Sequence, residues 1–252
     1  MTLQKNKASQ SGFTLVELAI VLLIIGLLVG GVLRGQELIQ NARNTATIDQ
    51  VTSFNAATTT FVDTYGALPG DIANPNARLP NCGAGGNCNV AGNGNNLIGA
   101  NLIVRANNNA GFAMNGENRT FWTHLGTANL ITGINPTDTG AAPIWGTHLP
   151  AAKLGGGFHI INANVPAATG IPALSGRFFL LRNTADSAGV EGDGASVLSS
   201  TRAFAIDRKA DDGNANTGSI VGVGGANCFA AANGTYAALA TNDCSLWFAG
   251  DI

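Results

Sequence analysis

Glu17 is the only charged residue between Lys7 and Arg34, and it lies inside the apolar run Gly12-Phe13-Thr14-Leu15-Val16-Glu17-Leu18 and onward to Leu33. A carboxylate in a membrane-length helix costs on the order of 2.5 to 3.5 kcal/mol at the bilayer centre, so it marks a functional position and requires a compensating group. Its chemistry is charge pairing rather than catalysis. Four cysteines, Cys82, Cys88, Cys228 and Cys244, supply oxidative chemistry, and an acidic run from Asp207 to Asn216 supplies oxygen donors. The three histidines, His124, His148 and His159, fall in separate candidate elements. No GxSxG, HExxH, CxxC, P-loop or GxGxxG pattern accompanies them, so the sequence presents no catalytic motif.

The element that must position Glu17 is a helix. Phe13 to Leu33 spans 21 residues, and roughly 20 apolar residues cross a hydrocarbon core of about 30 Å. Lys5 and Lys7 precede the run, and such charges favour the cytoplasmic side, which sends the chain after Leu33 outward. A secretory signal with Leu18 to Val29 as its apolar region and cleavage after Gly30-Gly31 would account for the length, as would a plain uncleaved anchor. Neither gives Glu17 a role.

The heptapeptide from Gly12 to Leu18 followed by an apolar helix resembles the N-terminus of type IV pilins and their pseudopilin relatives, and the likeness extends to about Tyr65. In that family a membrane aspartic peptidase cuts after the glycine and methylates the new N-terminal amine. The resemblance therefore implies cleavage after Gly12, modification of Phe13, and retention of the helix. It also implies that Glu17 of an incoming subunit neutralises the Phe13 amine of a neighbour. Many pilins have a proline part-way along the mature helix, where this chain has Arg34. Gly26, Gly30, Gly31 and Gly35 weaken the same stretch instead, each by about 1 kcal/mol relative to alanine, or permit close packing of helices in the membrane.

The residues carry a physical reading of their own. Cutting at Gly12 creates an α-amine, a group that ordinarily titrates near pH 8 and is largely cationic at neutral pH. Glu17 is four residues away, on the same side of a helix, so an intrachain pair is the alternative to the neighbour's amine.

Beyond Leu33 the helical period continues, with Ile48, Val51, Phe54, Thr58, Phe61 and Tyr65 at steps of three or four, until Gly66, Pro69 and Gly70 end it. A continuous helix over 13–65 would be roughly 80 Å long at 1.5 Å per residue. Thr58-Thr59-Thr60 is a poor helix former, so packing of the apolar stripe must hold that segment.

Residues 66–252 read as one α+β head. Only 11% of the chain is charged and 45% is hydrophobic, which excludes a disordered polyelectrolyte. The balance of 13 basic against 15 acidic residues, two of the basic ones in the leader, excludes general phosphate binding, so no nucleic acid is expected as a partner. Residues 74–118, rich in asparagine and glycine, read as irregular surface loop. Thr120 to Ile131 reads as a short amphipathic helix ended by Gly133. Phe158 to Val165, Gly176 to Arg182 and Ser219 to Val223 read as strands of an antiparallel sheet.

Four cysteines in an exported chain read as two disulfides with three formal connectivities. The local pairs Cys82–Cys88 and Cys228–Cys244 are expected. The second resembles the C-terminal disulfide-bounded loop of many type IV pilins. Zinc is disfavoured by the spacing. Asp212, Asn214 and Asn216 alternate as in calcium loops, with Asp211 beside them as a further candidate ligand, but Val223 stands where an EF-hand has its bidentate glutamate, so an Asx turn is the simpler expectation, with calcium as the only candidate cofactor.

The expected architecture is thus a pilin-like α+β fold: leader 1–12, spine helix 13–65 with its membrane part at 13–33, and head 66–252 on an antiparallel sheet. The expected function is a structural, non-enzymatic subunit of a type IV pilus-like filament, of minor or specialised type given the size of its head. A pseudopilin of a type II secretion system is the alternative, and a membrane-anchored extracytoplasmic binding protein or hydrolase is the second. The expected partners are a prepilin peptidase, other pilin subunits, the bacterial inner membrane and the assembly machinery. The expected location is the inner membrane, with a cytoplasmic leader and an extracytoplasmic head, and then a periplasmic or surface filament.

Overall fold

A computed structural model describes residues 12, 14–83, 86–99, 116–135, 142–165, 173–185 and 196–250. The first element, α1 (Leu15–Tyr65), is 51 residues long. The chain divides into two compact units, Met1–Arg43 and Asn44–Ile252, and their boundary falls inside α1.

In the first unit the helix buries none of its apolar window and is long and apolar enough to cross a membrane. Leu15, Leu22, Leu23 and Leu27 are all exposed. An apolar surface of this kind requires lipid or protein around it.

In the second unit, α1 buries Asn44, Thr47, Val51, Phe54, Ala57, Thr58 and Phe61 at helical spacing. Four residues of the expected stripe are therefore buried, while Ile48 and Tyr65 pack half-buried at its margins. Thr58 is accommodated in the core because its hydroxyl donates to the Phe54 carbonyl at 2.7 Å. The hydroxyls of Thr52, Ser53, Thr59, Thr60 and Thr64 do the same one turn back, which satisfies these weak helix formers within the helix. The helix stops at Tyr65, and Gly66 takes a positive φ of 63° that suits glycine.

Four strands form one antiparallel sheet in the order β1-β2-β4-β3. They are β1 (Gly157–Val165), β2 (Leu174–Arg182), β3 (Ile220–Gly224) and β4 (Cys244–Ala249). The β1–β2 ladder runs from Gly157 opposite Arg182 to Val165 opposite Leu174. The three strands expected from the sequence are present with small changes of boundary. β4 is an addition to them. It lies between β2 and β3, and its Cys-Ser-Leu-Trp-Phe is buried throughout, so both faces are covered and the sequence shows no alternation.

Phe54 joins the helix to the sheet. Its ring lies 5.4 Å from Phe158 of β1, 5.7 Å from Phe179 of β2, and 4.9 Å from Trp122. Trp122 belongs to α3 (Glu117–Thr127), which ends earlier than the expected Gly133. Asn129 adopts φ 57°, Leu130 N–H donates to the Leu125 carbonyl and Asn129 N–H to that of Gly126, both at 3.0 Å. This is a Schellman ending with asparagine in the left-handed position, and it takes Ile131 off the helix.

Segment 74–118 is described only in part, and its described residues are more ordered than a solvated loop. They include the short helix α2 (Pro75–Arg78) and a 3₁₀ turn at Asn87–Asn89. The buried Asp71 carboxylate accepts from the N–H groups of Gly94 at 2.6 Å and Asn96 at 2.7 Å. Glu117 accepts from those of Asn93 and Gly99. Two carboxylates therefore anchor backbone that has little apolar content of its own. The last helix, α4 (Ser200–Ala210), begins at Ser199, whose side chain caps the Arg202 N–H.

Candidate functional site

The N-terminal site is built on the first turn of α1. Thr14 is the N-cap and Glu17 the third helical residue. The Thr14 N–H and hydroxyl both donate to Glu17 Oε2 at 2.8 Å, and the Glu17 N–H points back to Thr14 Oγ1 at 3.3 Å. This reciprocal arrangement is a capping box, which satisfies N–H groups that the helix leaves open. Thr14 is a partner of Glu17 beyond those expected from the sequence, although T-x-x-E ahead of an apolar run is its signature. Gly12 has open space around its α-carbon. The expected Glu17–Phe13 contact involves Phe13, which lies outside the described residues. With the leader attached, the nitrogen of residue 13 is an amide and carries no charge.

Both local disulfides are formed, Cys82–Cys88 and Cys228–Cys244. The second links the start of β4 to the segment after β3. Ser200 Oγ pins the loop it closes by accepting from the Leu239 N–H at 3.0 Å and donating to the Ala237 and Leu239 carbonyls. The first disulfide borders a buried strut. His124 Nδ1 accepts from Gly70 N–H at 2.9 Å, and its Nε2 lies 3.0 Å from the Cys88 carbonyl, to which it donates. Burial pushes the His124 pKa down to about 4, against the opposing effect of the Cys88 bond.

His159 is fully buried and pushed down to about 3, chiefly by desolvation, with the positive Arg182 adding to it. His148 Nδ1 accepts from the Ile144 N–H. The three histidines therefore sit in packed surroundings, each bonded to backbone, rather than converging on a cleft.

The candidate cation ligands are only partly brought together. Carboxylate oxygens of Asp207, Asp211 and Asp212 lie within 4.8 Å of one another. Asp207 is not among the ligands expected from the sequence. Each acid already accepts protein donors: Asp207 from Gly213 N–H and Tyr236 hydroxyl, Asp211 from Ile220 N–H, and Asp212 from Asn214 N–H and the Thr217 hydroxyl. Asn214 and Asn216 instead turn their amide N–H groups to the carbonyls of Asn233 and Ala231. Oxygens of the three acids have the chemistry to hold a hard cation, yet the bonds present already close an Asx-type turn. Burial raises the Asp207 pKa to about 6, assisted by its acidic neighbours.

Residues 7–33 match the family profile of the prokaryotic N-terminal methylation motif, which is the signature of type IV pilins and pseudopilins. The long apolar N-terminal helix and the four-stranded antiparallel sheet give the chain a pilin-like α+β architecture. No curated protein and no solved structure matches it.

Proposed function

We propose that this protein is a structural subunit, of minor or specialised type, of a type IV pilus-like filament. The observation that carries this reading is the methylation motif at residues 7–33, lying on a helix whose apolar window is unburied among the described residues. In this reading a prepilin peptidase cuts after Gly12 and methylates Phe13. The helix holds the processed chain in the inner membrane with its head outside the cytoplasm. Assembly machinery then draws it into the polymer, where Glu17 of one subunit pairs with the Phe13 amine of another. That pair compensates a carboxylate that is costly in lipid. The head takes no part in catalysis and forms the filament's outer face.

The mature N-terminus and intact mass of protein taken from native membranes and from the sheared surface fraction test this. A start at Phe13 with the mass of one added methyl group is expected. A start after Gly31, or an intact Met1, would sink it. Recovery from the membrane alone, with a short periplasmic polymer, would move the assignment to a secretion pseudopilus.

A further inference from the structure

A groove of about 550 Å³ runs beside the head's portion of α1, floored by Phe54, Leu130, Ile131 and Pro150 and edged by Asp49 and Lys153. Gln50 is part of its lining. Its side chain donates to the Ala151 carbonyl at 3.0 Å and accepts from the Lys153 N–H at 3.1 Å, which fixes the far wall to the helix. Among the described residues, neither the Asp49 carboxylate nor the Lys153 ammonium has an ion-pair partner. The groove thus offers an apolar floor with one free charge of each sign.

The N-terminal unit has a segment of matching chemistry. Leu38 and Ile39 are 70% and 55% exposed, and they lie past Arg34, where the membrane-length run has ended. Arg34 and Glu37, on the same helical face as Leu38, are 83% and 65% exposed and, among the described residues, pair only with each other, at 3.0 Å. A surface pair of this kind contributes little and exchanges readily for better partners. While the helix sits in the membrane, Leu38 and Ile39 lie at the headgroup level. Once it is withdrawn into a polymer they lose that cover, and a neighbouring subunit must replace it.

We propose that the Arg34–Ile39 segment of one copy docks in the Phe54–Pro150 groove of a second copy, with Arg34 facing Asp49, Glu37 facing Lys153, and Leu38 on the apolar floor. The inference rests on the filament reading and adds to it a contact outside the membrane-spanning run. The volume accommodates a few aliphatic side chains but not a whole helix, so the docking is edge-on. The two charge pairs set its direction, because reversing the helix would bring like charges together.

Two experiments on the full-length chain decide it. Leu38→Cys and Thr132→Cys are placed in separate co-expressed copies, and disulfide-linked dimers are measured in sheared filaments and in membranes of cells without the assembly motor. Thr132 is an exposed neighbour of Ile131, and the chain has no free cysteine to interfere. Dimers in filaments and not in motor-less membranes are expected. Normal filaments without dimers would overturn the docking while leaving the filament reading intact. Equal dimer yield without the motor would also overturn it, because collision in the bilayer needs no groove. Absence of the correctly processed wild-type chain from every sheared or periplasmic filament would overturn both. As a second readout, Asp49→Lys is expected to lower the polymer yield about tenfold, and adding Arg34→Glu to restore most of it. Failure of that rescue, with both variants processed and stable, would count against the charge pairing.

Discussion

Thr14 and Glu17 hold each other: the carboxylate accepts both the backbone N–H and the hydroxyl of Thr14 at 2.8 Å, and the hydroxyl accepts the Glu17 N–H. The charge at the head of the apolar helix therefore has a local use before any partner arrives. To pair with a cationic amine on another chain, Glu17 must share or leave this box.

Cap and charge are separable by substitution. Glu17→Gln keeps a capping-box side chain and loses the charge, while Thr14→Ala keeps the charge and loses the cap, at about 1 kcal/mol of helix-end stability. If pairing with an amine drives assembly, Glu17→Gln is processed normally yet polymerises as poorly as Glu17→Ala, and Thr14→Ala polymerises at least as well as wild type. Quantifying processed chain in the sheared fraction distinguishes the three.

Phe54 touches rings on β1, β2 and α3. Phe54→Ala is expected to destabilise the head by roughly 3 to 5 kcal/mol, whereas its exposed neighbour Ser53→Ala stays within about 0.5 kcal/mol. Denaturant unfolding of the detergent-solubilised chain, followed by tryptophan fluorescence, measures both.

Removing the Cys228–Cys244 bridge by paired serine substitution is expected to cost about 2 to 5 kcal/mol, since it frees a loop with a sequence separation of 16. The Cys82–Cys88 bridge closes a separation of only 6, so its removal costs less. Midpoints of denaturation with and without each bridge rank them.

Acid destabilises the head through its histidines. His124 and His159 have folded pKa values of about 4 and 3, below the ordinary 6.5. The unfolded chain thus takes up protons first, so stability present above pH 6.5 is lost as pH falls toward those values. Asp207 has the opposite sign. Its folded pKa of about 6 exceeds the ordinary 3.8, so its contribution is present below 3.8 and lost as pH rises through 6. Summing the three gives a net loss of roughly 2 to 3 kcal/mol from pH 7 to pH 5. Urea midpoints at the two values check the sign, and His124→Gln should flatten the slope.

What could be read from the chain alone follows from how local each cause is. Glu17 stood out because nothing else between Lys7 and Arg34 is charged, and the stripe at Val51, Phe54, Thr58 and Phe61 stood out because one helix face carries it. β4 was hidden because a strand buried on both faces lacks alternation. The anchoring of the 93–99 loop by Asp71 and Glu117 spans more than fifteen residues of sequence, and no spacing rule announces it. The helix end at Asn129 was masked by Gly133, a stronger terminator that the chain did not use. The acid trio was half visible: Asp211 and Asp212 lie in the run, but Asp207 joins them only because α4 ends where it does.

The position of β4 also decides which strand edges are covered. Among the described residues β3 pairs with no strand except β4, and β2 is joined to β3 through it. β1 and β2 are neighbours in the chain as well as in the sheet, while Ile220–Gly224 has no described partner strand until Cys244–Ala249 is in place. The Cys228–Cys244 disulfide ties the segment after β3 to the start of β4, so the bridge and the closing strand hold the same edge of the sheet. A chain that failed to seat β4 would therefore leave β3 and the facing edge of β2 as open strand edges, able to pair with whatever strand comes near.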